Sequence, residues 1–184
     1  MLDQGHKKMF LTERFDKPMQ PSINDTLALI RELHKNQKDQ SGNPYVEHPI
    51  RVKNTLVTLF PNASEDMIHA ALLHDTIEDC DIDEDFLRIK GYSEDCIEMV
   101  RILSKPKDDQ RPYDQVIEEL INTGNSGAIK IKIADNTDNL DPDRLQKLRE
   151  QTPQKAEKLE SRYTASIEKL RAAIGNNSEM KLTI

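Results

Sequence analysis

Apolar positions along most of this chain recur at the three- and four-residue steps of helices. Ile23, Leu27, Ile30 and His34 follow Ser22, a residue suited to cap a helix N-terminus, and predict a first helix. A polar loop from Asn36 to Pro44 comes next, broken by Gly42 and Pro44. His48 and Pro49 open a second helix that carries Val52, Leu56, Leu59 and Phe60 and ends at Pro61-Asn62. Ser64, with Glu65 and Asp66 in the first turn, starts a third helix that reads through Ile68, Ala71 and Leu72 to about Asp79. A short helix from Asp83 to Lys90 stops at Gly91, and Ser93 caps another that holds Ile97, Val100 and Leu103. Beyond the charged loop from Lys105 to Pro112, residues Tyr113 to Asn122 read as helix, stopped near Gly124. Thr152-Pro153 begins the clearest helix, with Ala156, Leu159, Tyr163, Ile167, Leu170 and Ile174 as its stripe and Gly175 as its expected end.

One segment breaks the pattern. Ile129, Ile131 and Ile133 alternate with Lys130 and Lys132, which on period alone reads as a strand. A helix keeps Ile129, Ile133 and Leu140 together but places Ile131 less comfortably. A single strand among helices has no pairing partner, so the segment is assigned as helix. The expected fold is all-α, one bundle of about eight or nine helices. Residues 1–20 are expected to form an N-terminal arm, 21–175 the domain, and 176–184 a flexible C-terminal tail.

Composition narrows the class of protein. The chain has 184 residues, 36% hydrophobic and 32% charged, which suits one domain with a modest core. Trp is absent and the aromatics, 4% of the chain, are scattered, which disfavours a β-sandwich. A net charge of −7 argues against binding a nucleic-acid backbone. No apolar run approaches the roughly 18 residues of a membrane span, and the first residues lack the apolar stretch of a secretory signal. Two cysteines, Cys80 and Cys96, make no disulfide scaffold and read as packing residues. A cytoplasmic protein with neither a membrane nor a nucleic-acid partner is the expectation.

The densest chemistry lies in Leu72-Leu73-His74-Asp75-Thr76-Ile77-Glu78-Asp79. On a continuous helix His74 and Glu78 share a face, as do Asp75 and Asp79. Three carboxylates at the end of an apolar helix repel one another and resist desolvation. A divalent cation resolves that conflict, and imidazole with carboxylate suits Mn, Fe or Zn. A solvated helix end with an incidental His explains the same residues without a metal.

Further motifs bear on that choice: His34 to Gln37 (His-x-x-Gln), Ser41 to Pro49 (Ser-Gly-x-Pro-Tyr-x-x-His-Pro), and Lys132 to Asn139 (Lys-x-Ala-Asp-x-x-x-Asn). Together with Leu72 to Asp79, and in this order, they resemble the HD-domain phosphohydrolases, specifically the Rel/Spo-homologue hydrolase domain and the stand-alone small alarmone hydrolases. The resemblance covers roughly residues 22–175. It implies metal ligands at His48, His74, Asp75 and Asp135, holding a cation of the Mn²⁺ type, and an acidic pair at Glu78 and Asp79 that activates the attacking water. It implies substrate-binding or supporting positions at Lys38, Tyr45, Lys105, Lys132 and Asn139. The implied activity is hydrolysis of a phosphorylated nucleotide, best matched by (p)ppGpp cut at its 3′-pyrophosphate. A nucleoside monophosphate or another phosphorylated metabolite is the alternative substrate, and a non-catalytic nucleotide- or protein-binding module the alternative class.

The chain departs from the family pattern where an Arg-Lys pair, a His and an Arg are usual; it has Asp39-Gln40, Asp138 and Asp141. These substitutions remove positive charge and disfavour a polyanionic substrate unless Lys38, Lys105, Lys107 or Arg144 compensates. Asp138 fits a place beside the metal ligands, a phosphate-repelling position, or the solvent. Tyr45 fits either a ring under a substrate base or a pin for its loop. His34 reads as a hydrogen-bonded core histidine, and His69 as structural or exposed.

Overall fold

The computed structural model describes residues 20–39, 42–106 and 108–179, with side chains described through residue 175. Nearly all of the expected N-terminal arm, together with Gln40, Ser41, Lys107 and residues 180–184, lies outside that set. The described residues form helices and no strands, in the order α1 (Ile23–Leu33), α2 (Glu47–Leu59), α3 (Glu65–Leu73), α4 (Thr76–Asp79), α5 (Glu84–Ile89), α6 (Glu94–Leu103), α7 (Tyr113–Asn122), α8 (Ser126–Asn139), α9 (Pro142–Gln151) and α10 (Pro153–Glu179). Among these residues no helix is long and apolar enough to cross a membrane.

Short polar side chains set most helix starts. Ser22, Ser64, Asp83, Ser93, Asn125 and Asp141 each accept a hydrogen bond from a backbone N–H in the first turn of α1, α3, α5, α6, α8 and α9. In α1 the cap is reciprocal, because Asp25 accepts from the Ser22 backbone in return. Gly91 and Gly124, at φ +91° and +67°, follow α5 and α7, where a left-handed residue ends a helix. Gly175 does not end α10, which continues to Glu179. It adopts no positive φ, and a helical glycine costs only about 1 kcal/mol relative to alanine.

The alternating isoleucines lie on the central helix. Helix α8 packs against α2, α3, α6, α7 and α10. Ile129, Ile131 and Ile133 are all fully buried. A helix covered on several sides needs apolar residues around its circumference, and the strand-like pattern follows from that. Around it Ile30, Val52, Leu56, Leu72, Leu73, Ile97, Val100 and Leu170 complete one continuous core. Helix α9 carries a single buried residue, Leu145, and so presents too little apolar periodicity to be read in sequence.

Candidate active site

Three chain segments meet at one end of α8. His48 lies in the first turn of α2, His74 and Asp75 join α3 to α4, and Asp135 faces them from α8. The continuous helix expected from Ser64 to Asp79 is corrected here, because α3 stops at Leu73 and α4 starts at Thr76. Two side chains bond to carbonyls in the last turn of α3 at this break. His74 Nδ1 lies 2.9 Å from the Ala71 carbonyl, and the Thr76 hydroxyl donates to the Leu73 carbonyl at 2.7 Å. The one-turn pairings of His74 with Glu78 and Asp75 with Asp79 therefore do not describe the site.

Backbone and carboxylate partners set the imidazoles. The Ala71 carbonyl accepts from His74 Nδ1–H, which leaves Nε2 buried, without a hydrogen bond, and 3.0 Å from Asp75 Oδ2. Asp138 Oδ2 accepts from His48 Nδ1–H at 2.8 Å, which points Nε2 at Asp135 Oδ1 (3.3 Å) and Asp75 Oδ2 (3.7 Å). Ligand atoms of His48, His74 and Asp135 all lie within 4.8 Å of one another. Two imidazole lone pairs aimed at carboxylates repel them unless a cation stands between, and both a proton and a divalent metal meet that need. The donor set, imidazole and carboxylate without thiolate, fits a divalent ion of the Mn, Fe or Zn type.

Ionisation follows the same geometry. Burial opposes charge on His48, but hydrogen bonds to Asp135 and Asp138 outweigh it and raise its pKa to about 9. His74 is likewise raised, the Asp75 charge overcoming burial. Burial pushes the Asp75 and Asp135 carboxyls upward, yet His74 beside the first and Lys132 beside the second hold both below the usual carboxylate range.

A cavity of about 310 Å³ opens on this cluster. His48, Asp75 and Asp135 line it together with Lys38, Tyr45, Glu78, Lys105, Lys132 and Asn139. Tyr45 donates its hydroxyl proton to Asp75 Oδ2, with its ring 5.7 Å from that of His48, and so pins Asp75. Lys132 and Asn139 donate to the two oxygens of Asp135, each at 2.7 Å. Glu78 accepts from the Lys105 backbone N–H at 3.1 Å, and the Lys105 ammonium stands 5.5 Å from the Tyr113 ring. Asp79 sits at the edge of this group, where the Asp75 charge and the Tyr45 hydroxyl act on its carboxyl. It is exposed, does not line the cavity, and its carbonyl accepts from Gln37 at 3.0 Å.

Tyr113, Arg144 and Tyr163 also line the cavity. Tyr163 belongs to the apolar stripe of α10, and Tyr113 opens α7, so neither carries a sequence signal for a site. Arg144, Tyr163 and Asn139 also border a second chamber of about 460 Å³ between α9 and α10. Its lining adds Lys147, Lys155, Leu145, Leu148 and Leu159 and contains no carboxylate.

The acidic departures have specific places. Asp138 is buried and takes hydrogen bonds from His48, Arg51 and Arg144. Asp141 caps α9 by accepting from the Arg144 backbone at 2.9 Å. Asp39 lines the cavity and accepts from the Asn43 backbone, which closes the loop before α2. His34 is buried against Gln37 (2.5 Å), and His69 is fully buried against Thr26 (2.8 Å).

Comparisons with known proteins agree with this architecture. Residues 26–124 match the family described as HD domain. The chain is 33% identical over 75 residues to guanosine-3′,5′-bis(diphosphate) 3′-pyrophosphohydrolase of Vibrio cholerae, covering 41% of this chain and 10% of the relative. It is 44% identical over 59 residues to the enzyme of that name from Danio rerio, covering 31% and 33% respectively. The matches thus span one third or less of these curated relatives. A solved structure of a metazoan SpoT ortholog that hydrolyses ppGpp superposes with a TM-score of 0.61 at 26% identity, over 86% of this chain and 98% of that one.

Proposed function

The chain belongs to the HD-domain family, and from that premise we propose that it is a metal-dependent nucleotide phosphohydrolase acting on (p)ppGpp. The products are GDP or GTP and pyrophosphate. One observation carries the reading: two imidazole lone pairs and two carboxylates converge beside a cavity whose lining also carries Lys38, Lys105, Lys132 and Arg144.

His48, His74, Asp75 and Asp135 would hold the divalent cation, Mn²⁺ in our reading. When bound it supplies a water of lowered pKa and offsets charge on the phosphoryl oxygens. The rest falls to the chain's own groups. Tyr45 fixes Asp75, while Lys132 and Asn139 fix Asp135, so both carboxylates are oriented before substrate arrives. Glu78, held by the Lys105 N–H, accepts the proton of the attacking water as its oxygen bonds to the phosphorus attached to the 3′ oxygen. That P–O bond breaks, the 3′ oxygen takes up the proton that Glu78 received and stays on the nucleoside as a hydroxyl, and pyrophosphate leaves with the water's oxygen. Lys38 and Lys105 meet the phosphates, and Asp79, whose carbonyl accepts from Gln37, anchors the end of α4, the helix that carries Glu78. The second chamber, cationic and apolar with Tyr163 at its junction, takes the remainder of the nucleotide.

The carboxylate of Asp39 on the cavity wall favours, as a second reading, a less charged substrate such as a nucleoside monophosphate. One experiment separates the two. The protein is incubated with Mn²⁺ and either ppGpp or GMP, products are identified by anion-exchange chromatography, and Glu78→Gln is run alongside. GDP with pyrophosphate, lost in the variant, is the expected result; orthophosphate from GMP with ppGpp left intact would replace the substrate assignment.

A further inference from the structure

Asp138 stands one layer behind the proposed metal centre and collects donors from two elements, α2 and α9. Its Oδ2 accepts from His48 Nδ1 of α2 at 2.8 Å, from an Arg51 terminal nitrogen at 3.1 Å, and from Arg144 of α9 at 3.0 Å. Its Oδ1 accepts from Arg51 Nε at 2.8 Å. The carboxylate is buried, with only 5% of the side chain exposed, and two guanidiniums fix it in direction. An acceptor so fixed dictates which ring nitrogen of His48 carries the proton.

We infer that Asp138 is a positioning residue that holds His48 in the Nδ1–H form and aims its Nε2 lone pair at the cation site. The inference rests on the metal reading of that site. Carboxylates that accept from the far nitrogen of a ligating imidazole orient the ring and raise its basicity, and their loss costs about 10–100-fold in metal affinity. An asparagine at 138 satisfies this arrangement poorly. With its oxygen toward His48, its NH₂ faces the guanidiniums; turned over, it donates to Nδ1 and favours the wrong tautomer. Arg51 and Arg144 serve Asp138 in turn, and Arg144 also borders both chambers.

A competing role is purely structural, with Asp138 tying α2, α8 and α9 together through the two arginines. Metal titration of three folded proteins separates the two. Isothermal calorimetry with Mn²⁺ is expected to give one tight site in the wild type and about 10–100-fold weaker binding in Asp138→Asn. Arg51→Met, which removes the α2 arm of the tie but leaves the His48–Asp138 bond, is expected to lose stability in urea while keeping Mn²⁺ affinity within about threefold. Wild-type affinity in Asp138→Asn, or an equal loss in Arg51→Met, overturns the inference. Should Asp138→Asn fail to fold, two-bond ¹H–¹⁵N spectra of the Zn²⁺-loaded wild type give the same answer. They are expected to show His48 protonated at Nδ1, and protonation at Nε2 overturns the inference. If the wild type binds no divalent cation, the metal reading falls first and this inference with it.

Discussion

The ammonium of Lys132 lies 2.7 Å from Asp135 Oδ2, while the other oxygen of the same carboxylate faces His48 Nε2 at 3.3 Å. Asp135 is thus shared between a permanent cation and the proposed metal position, and the pair is largely removed from water, with side chains 14% and 7% exposed. Lys132→Met leaves a buried charge short of its partner. The expected loss is about 3 kcal/mol in urea unfolding with EDTA present. Saturating Mn²⁺ is expected to recover part of that loss, because the metal supplies the missing charge. Equal stability of variant and wild type with EDTA contradicts this role.

Asp141 occupies a position where the resembled enzymes have Arg, and its place as the cap of α9 separates two roles for its charge. Asp141→Ser keeps a capping oxygen without the charge and is expected to leave both stability and KM close to wild type. Asp141→Ala is expected to lose about 1 kcal/mol of stability. A marked fall in KM for ppGpp in Asp141→Ser would instead make the carboxylate a phosphate-repelling group.

Tyr163 borders both chambers and sets its ring edge-on to Tyr113, with 5.9 Å between centroids. A ring at this junction suits stacking on a nucleobase, an interaction worth about 1–3 kcal/mol. Tyr163→Leu is expected to raise KM for ppGpp about tenfold with a smaller change in kcat, and Tyr163→Phe to behave nearly as wild type. Steady-state kinetics decide it, and a loss confined to kcat argues against stacking.

His69 carries a pH signature far from the site. It is fully buried, and the Thr26 hydroxyl links it to Tyr92 in a buried relay, 2.8 Å from His69 Nδ1 and 2.8 Å from the Tyr92 hydroxyl. Burial lowers its pKa, opposed by Glu65, which is 4.0 Å from Nε2, and by Asp66. A histidine lowered on folding contributes stability that is full above its unfolded value of 6.5 and is lost as pH falls through the lower folded value. Urea unfolding at about pH 7.5 and about pH 5 should show a larger acid loss in the wild type than in His69→Gln. The raised His48 and His74 act in the opposite direction, equally in both proteins. Identical acid losses contradict the relay.

Much of the fold was legible because it is written in local signals. Ser22, Ser64 and Ser93 cap where the spacing placed helix starts, and each precedes a stripe that reaches the core. The isoleucine alternation around Lys130 and Lys132 misled on period alone, because α8 is buried on several sides. The break at His74-Asp75 was not legible. It depends on side-chain bonds to the carbonyls of Ala71 and Leu73, which apolar periodicity does not register. Site residues stood out where an unusual cluster of titratable groups marked them, as at His74 to Asp79. Tyr113 and Tyr163 reach the cavity from positions that read as ordinary helix. Asp138 stayed undecided in sequence because its meaning depends on Arg51, 87 residues away along the chain.

The central claim is that His48, His74, Asp75 and Asp135 form one divalent-cation site opening into the cavity. Crystals grown with Mn²⁺, with diffraction recorded near the manganese absorption edge, test it most directly. The account predicts one strong anomalous peak in contact with His48 Nε2, His74 Nε2 and the carboxylates of Asp75 and Asp135. A peak elsewhere, or none at saturating Mn²⁺, would contradict it.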